Sequence, residues 1–265
     1  MKTTNAGWLI SLTKISFATA VLLAVAKLAF AAEHKQARVT EKFNDVRLLS
    51  PHVQPRPAVV NDNVHEGTAV RTGTESRAEL TFIDQTIARL GANTVFNVGG
   101  AGRTYDLSSG AILMYAPNSA GAVKVNTPVA TAAVTGFTAM VDAGRYTKLI
   151  ILEGDADIWL NKHSGEHKHM HSGQLISIPP GATKLPPVWD VDICKLISNG
   201  RLITGFTKKL PSWNLILAEC ERQHEEQPGT NRVDPTNIDA LDQSENARPT
   251  PPPAPTRTPG GGRRN

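Results

Sequence analysis

Short apolar runs alternate with turn residues from Val39 to Ile178. Runs such as Arg77–Ile83, Thr147–Gly154 and Gln174–Pro179 alternate with breaks that contain glycine, asparagine or proline. Short strands at spacings of about 8–12 residues are typical of all-β domains, in which each apolar face needs a second sheet to cover it. The pattern predicts an all-β domain over residues 38–186, an antiparallel β-sandwich or roll of many short strands.

Five glycines fall among these runs. They are Gly73, Gly91, Gly110, Gly136 and Gly154. Glycine adopts a positive φ without the steric cost that a Cβ brings, and it is common at turns and bulges. We therefore expect these glycines at strand ends, where they shape the scaffold.

The spacing of the apolar residues changes after Pro187. Apolar spacing and a following glycine predict a short helix within Asp190–Gly200, and a helical stripe covers Leu210–Gln223 with Ser212 as its N-cap. A helical appendage is therefore expected over residues 187–224.

The C-terminal segment, residues 225–265, has a different composition. It holds eight of the eighteen prolines and few large apolar residues. Such a segment buries too little surface to offset the conformational entropy lost on ordering. A Pro-rich disordered tail is predicted.

The N-terminal segment carries an export pattern. A basic flank precedes the apolar run Ile15–Ala26, and the small residues Ala29 and Ala31 follow it. This arrangement predicts a secretory signal peptide over residues 1–31. The alternative is an uncleaved membrane anchor, which Lys27 disfavours by shortening the apolar run. Either reading places the remainder of the chain outside the cytoplasm, in the periplasm or secreted.

Charge argues against a polyanionic partner. The formal net charge is +4, but residues 1–31 hold three lysines and no acidic residue, so their removal leaves +1. Aromatic residues make up only 5% of the chain, which leaves few stacking platforms for bases. Nucleic acid is therefore not an expected partner.

Several segments resemble the FecR-type extracytoplasmic domain family. The string VRTGTESRAELTF (Val70–Phe82) resembles the opening of that domain, and KVNTPVATAAVTG (Lys124–Gly136) is its most distinctive part. Further segments follow in the family's order, so that the resemblance covers about residues 64–182. It implies an exported β-domain without enzymatic activity or cofactor, which binds, scaffolds or senses a signal at the bacterial cell envelope.

Better-known members of the family relay a signal to a sigma factor through a cytoplasmic segment. Here about fourteen residues precede the apolar run, which is too few for a folded regulatory domain. We therefore expect an envelope protein as the partner rather than the complete relay. A regulator whose sigma-factor portion resides on another chain is a further alternative.

Four of the eight histidines lie in the segment His163–His171. On a strand His167, His169 and His171 would share one face, about 6–7 Å apart, and could bind Zn²⁺, Cu²⁺ or Ni²⁺ with Glu166 as a further ligand. The alternative is a solvated polar hairpin tip. A metal site here would support the second functional hypothesis, a periplasmic metal-binding protein or metal-dependent hydrolase.

Cys194 and Cys220 are the only cysteines, and both lie on the apolar stripes of the predicted helices. In an oxidising compartment they could form a disulfide, which would contribute about 3 kcal/mol in the chain-entropy model. Two buried thiols are the alternative.

No residue is predicted to be catalytic. The sequence has no G-x-S-x-G motif for a strained nucleophilic serine. The candidate carboxylates follow strands, where turn and solubility roles are common. They are Asp84, Asp106, Glu153, Asp155 and Asp157.

Overall fold

Residues 36–99, 103–226 and 233 are described by a computed structural model of the chain. The predicted signal peptide, residues 1–31, lies outside the described residues, as do residues 227–232 and 234–265 of the predicted tail.

Within the described residues, fifteen β-strands precede the helices. They are β1 (Ala37–Phe43), β2 (Val46–Leu49), β3 (Arg56–Pro57), β4 (Asn63–Val64), β5 (Ala69–Thr72), β6 (Arg77–Phe82), β7 (Ile87–Leu90), β8 (Val95–Asn97), β9 (Thr104–Ala116), β10 (Val123–Asn126), β11 (Ala130–Ala143), β12 (Thr147–Leu160), β13 (His163–His171), β14 (Gln174–Ile178) and β15 (Val188–Asp190). A 3₁₀ turn (Asn118–Ala120) connects β9 to β10. The helices are α1 (Ile193–Asn199), α2 (Arg201–Thr204) and α3 (Trp213–Glu226). The predicted all-β fold with a short C-terminal helical part is confirmed.

The strands form one continuous sheet that folds over into two layers. The first layer runs through β4, β1, β6, β7 and β14, and the second through β3, β2, β5, β8, β10 and β13. The long strands β9, β11 and β12 pass from one layer to the other. For example, the start of β12 pairs with β14, whereas its end pairs with β13.

One pairing in the described sheet is parallel, between the starts of β9 and β10. It follows from the bend in β9. The strand leaves the second layer at Gly110, and the chain returns through the 3₁₀ turn to run beside the first residues of β9. The sheet is therefore mixed, although its other described pairings are antiparallel.

The bends of the long strands lie at three glycines. Gly110, Gly136 and Gly154 have φ values of +79°, +58° and +83°. They lie inside β9, β11 and β12 rather than at strand ends, in contrast to the expectation from the sequence. A positive φ redirects a strand without ending it, so that one long strand serves both layers. Gly73 and Gly91, in contrast, directly follow β5 and β7.

The main core lies between the two layers. Its fully buried members include Leu80, Met114 and Ile151 from the first layer and Phe96 and Val125 from the second. Strands of each layer thus bury one face against the other layer, as the sequence predicted.

The helices cover the outer face of the first layer. Leu113, Met140 and Ile150 of the sheet pack with Leu196 and Ile216 of the helices in a second apolar cluster. The first layer is therefore buried on both faces. This explains why four consecutive residues of β12, 149–152, are all buried instead of alternating.

Local signals set the helix ends. The Asp192 carboxylate accepts a hydrogen bond from the Lys195 backbone N–H at 2.9 Å, which caps α1, and Gly200 follows its last residue. Ser212 directly precedes α3, and its hydroxyl lies 2.5 Å from the Thr138 hydroxyl of β11. Within the described residues, none of the helices is long and apolar enough to cross a membrane.

The helical part does not begin and end at the expected residues. β15 follows Pro187 directly and continues the sheet beside β14. At the other end α3 extends to Glu226, and Val233 forms a parallel bridge with Val191. The last strand therefore lies inside the expected helical part, and Val233, beyond α3, lies beside Val191.

Candidate functional site

The histidine-rich strand β13 pairs with the end of β12. His171 lies opposite Asp155, His169 opposite Asp157, and His167 opposite Trp159. Alternate residues of a strand point to the same face, and directly paired residues share a face. The register therefore places two histidines beside two aspartates on one surface.

Each of these two histidines contacts the aspartate opposite it. His169 Nδ1 lies 2.9 Å from Asp157 Oδ1, and His171 Nδ1 lies 2.7 Å from Asp155 Oδ1. The two imidazole rings meet edge to face, with centroids 4.7 Å apart. All four side chains are more than half exposed, at 52–62%. We call these four residues the His–Asp array.

The structure brings together part of the predicted metal set. Potential ligand atoms of Asp155, His169 and His171 all lie within 4.8 Å of one another. His167 lies one pair further along, opposite Trp159, and neither it nor Glu166 belongs to this group. The third potential ligand is Asp155, which the sequence had suggested for a turn.

A bulge in the β12–β13 hairpin sets this register. Leu160 lies opposite His163, whereas the preceding residue of β12, Trp159, lies opposite His167, so Ser164–Glu166 form the bulge. An unbulged hairpin would place Asp155 and Asp157 opposite Lys168 and Glu166. The matching alternation of Asp155–Asp157 with His169–His171 was the available sequence signal, but the bulge could not be deduced from it.

The two cysteines are joined by a disulfide between α1 and α3. The Cα atoms of Cys194 and Cys220 are 5.1 Å apart, which lies within the usual range for this bond. Gln223 of α3 adds two hydrogen bonds to the same junction, because its Nε2 donates to the Val191 carbonyl and its Oε1 accepts from the Ile193 N–H, both at 3.1 Å.

Three of the candidate carboxylates have structural partners. Asp84 forms an ion pair with Arg103 and accepts a hydrogen bond from the Thr86 N–H at 2.9 Å. Asp106 accepts from the Asn126 side-chain amide at 3.0 Å. The third, Glu153, accepts from a threonine hydroxyl of β11.

Glu153 lies at the junction between the sheet and α3. It accepts a hydrogen bond from the Thr138 hydroxyl at 3.2 Å, and that hydroxyl also meets Ser212 at the start of α3. Burial raises the pKa of Glu153, and the hydrogen bond from Thr138 opposes this shift. Burial also raises the pKa of the neighbouring Tyr115 hydroxyl, and the negative charge of Glu153 raises it further.

A second polar contact of the helical part was not predicted from the sequence. The Arg89 side chain lies buried between the first layer and the helices, donates to the carbonyls of Leu202 and Ile203 at 3.3 Å each, and lies 4.6 Å from the Phe206 ring centroid. Its ion pair with Glu79 is buried as well. A charged arginine in a short strand is expected to face solvent. Arg89 is buried because the helices cover this face of the sheet.

The chain was compared with known families and proteins. The profile of the family described as "FecR protein" matches residues 68–157, from the residue before β5 into β12. A search of curated proteins finds no match.

Among solved structures, two crystal structures of an anti-sigma factor candidate from Parabacteroides distasonis are similar to this chain. One has 13% sequence identity and a TM-score of 0.41, and covers 50% of this chain and 65% of that chain. The other has 12% identity and a TM-score of 0.40, and covers 50% and 64%. The chain thus matches less than two thirds of the length of these proteins.

Proposed function

We propose that this chain, whose residues 68–157 form a FecR-type domain, is an exported protein that senses a signal at the bacterial cell envelope by binding a partner protein. The family match is the observation that carries the proposal. In this role the chain supplies binding surfaces on a rigid β-scaffold and catalyses no reaction itself.

Export is supported by two features of the chain. Residues 1–31 have the pattern of a secretory signal, and the Cys194–Cys220 disulfide suits an oxidising compartment such as the periplasm. The proposed location is the periplasm or the outside of the cell. Contact with the membrane would require that the N-terminal segment be retained.

A binding role also fits the observation that candidate catalytic side chains form hydrogen bonds within the fold. Asp84, Asp106 and Glu153 hold loops, strands and the helical part through hydrogen bonds and one ion pair. Ser76 is similarly engaged, because its hydroxyl accepts from the Asp45 N–H and donates to the Thr74 carbonyl. These groups maintain the shape of the domain.

The sheet–helix junction gives the proposal a physical basis for transmitting a signal. The first layer is covered by the helices, which the disulfide joins to one another and the buried Arg89 attaches to the sheet. A partner that binds either the strands or the helices therefore acts on one packed unit.

Site-specific photocrosslinking in the native host tests the proposal. A photoreactive amino acid replaces Val59, Ile83 or Leu215, which are 61%, 56% and 57% exposed and lie in two different loops and in α3. We expect envelope fractions to yield a discrete adduct at one or more positions, with mass spectrometry identifying the partner. The same variants without irradiation are the control.

The same preparation shows where the chain is located. A mature N-terminus near Ala32 is expected for a cleaved signal, and an intact N-terminus in the membrane fraction for a retained anchor. Recovery from the cytoplasm overturns export. An exported chain that forms no discrete adduct at any of the three positions overturns the partner-binding role.

A further inference from the structure

The His–Asp array has a geometry that a polar hairpin tip does not require. Side chains two residues apart on one strand start about 6–7 Å apart, yet the His169 and His171 ring centroids are 4.7 Å apart. The rings therefore converge above the strand. Each is also held by a carboxylate from the neighbouring strand.

A carboxylate at one ring nitrogen is the usual support for a metal-binding histidine. Asp157 contacts Nδ1 of His169, which orients the ring, and the His169 side chain is 52% exposed. Such an outer contact fixes the tautomer and increases the basicity of the coordinating nitrogen. Asp155 contacts Nδ1 of His171, but its carboxylate oxygen is itself one of the three donors, so Asp155 is a ligand and not an outer contact.

From these contacts we propose that His169, His171 and Asp155 bind one divalent transition-metal ion, with Asp157 positioning His169. Two imidazole nitrogens and one carboxylate oxygen suit Zn²⁺, Cu²⁺ or Ni²⁺, whereas Ca²⁺ and Mg²⁺ prefer oxygen ligands. The site stands independently of the proposed binding of an envelope partner.

The required movement is small. Bonds of 2.0–2.1 Å in a tetrahedral zinc site need ligand atoms about 3.4 Å apart. The three donors lie within 4.8 Å of one another, and their side chains are more than half exposed. Side-chain rotation alone can therefore bring them together. The exposed side of the site leaves coordination positions for water or for a ligand from another molecule.

Metal titration of the full chain, produced without a histidine tag, tests the proposal. Competition with a chromophoric chelator measures the affinity for Zn²⁺ and for Cu²⁺, and we expect one tightly bound ion per chain. The double variant His169→Ala/His171→Ala should weaken binding more than 10-fold. Asp157→Asn should weaken it about 10-fold, as outer-shell substitutions commonly do.

The same strand provides a matched control. His163→Ala/His167→Ala removes two exposed histidines of β13 that lie outside the group of three donors. It should change the affinity less than twofold. In the Cu²⁺ complex, electron paramagnetic resonance should show coupling to nitrogen that disappears only in the His169/His171 variant.

Two results would overturn the site. One is an unchanged affinity in His169→Ala/His171→Ala with its circular dichroism spectrum preserved. The other is an equal loss in both double variants, which would reveal unspecific binding by the histidines of the strand. Should His169→Ala/His171→Ala fail to fold, Asp155→Asn provides the second measurement, and wild-type affinity there also rejects the proposed ligand set.

Discussion

Arg89 and Glu79 form a buried ion pair across the neighbouring strands β7 and β6. Arg89 Nε lies 2.9 Å from Glu79 Oε2, and the two side chains are only 1% and 5% exposed. The same guanidinium donates to the carbonyls of α2. One residue of the sheet thereby satisfies both a buried carboxylate and backbone groups of the C-terminal helices, and links the two parts.

Replacing Arg89 alone should destabilise the protein strongly. Arg89→Met leaves the Glu79 carboxylate buried without its cation, and breaking a buried pair in this way costs about 3–5 kcal/mol. Glu79→Leu/Arg89→Met removes both charges and should cost less than Arg89→Met alone. Urea unfolding of the two variants and the wild type measures the difference.

An exposed pair provides the control. Arg47 and Asp45 lie 3.1 Å apart with side chains 42% and 52% exposed. Arg47→Met should change the free energy of unfolding by less than about 1 kcal/mol. Equal losses in Arg89→Met and Arg47→Met would contradict the structural role of Arg89.

The disulfide should stabilise the helical part. Cys194 and Cys220 are separated by 26 positions, and closing a loop of this length contributes about 3 kcal/mol in the chain-entropy model. Cys194→Ser/Cys220→Ser should lower the free energy of unfolding by that amount, and reductant should destabilise the wild type but not the variant. Two free thiols in protein isolated from the envelope would show that the bond does not form.

The bend at Gly154 should not tolerate a side chain. A Cβ there would lie 2.5 Å from the backbone oxygen of Gly136, and the residue has φ +83°. Gly154→Ala therefore combines the left-handed conformation with a backbone clash. We expect a loss of stability well above the roughly 1–2 kcal/mol attributable to the conformation alone.

Gly121 separates the two causes. Its φ is +74°, but a Cβ added there meets nothing within 4 Å. Gly121→Ala should thus show only the conformational cost in the same denaturant titration. If both variants lose equal stability, the close approach of β11 and β12 is not the reason for glycine at the bend.

The sequence predicted the strands and helices better than the way they pack and pair. Short apolar runs between turn residues predicted the all-β class, and apolar spacing followed by Gly200 predicted a short helix. Local patterns did not predict that Gly154 redirects a strand rather than ending it, because a glycine suits either role. The burial of Arg89 and the register of His169 depend on a covering helix and a hairpin bulge, which are properties of the assembled fold.

Glu153 should make the stability of the sheet–helix junction depend on pH. Burial raises the pKa of this carboxyl in the folded chain above its usual value of 4.5, and the unfolded chain does not share that shift. The folded state therefore holds the proton more tightly. The stability that Glu153 contributes is fully present below its unfolded pKa and is lost as the pH rises through its folded pKa.

Glu153→Gln removes this ionisation and keeps an oxygen that can accept the hydrogen bond from the Thr138 hydroxyl. At pH 7 the variant should have a higher free energy of unfolding than the wild type, and the difference should shrink as the pH falls toward 4. Urea unfolding at several pH values between 4 and 8 measures it. Glu221→Gln, on the exposed surface of α3, removes the same charge without burial and should show a weaker trend. A Glu153→Gln variant less stable than the wild type at pH 7 would mean that the charged carboxylate stabilises the junction, because the Thr138 hydrogen bond then outweighs the cost of burial.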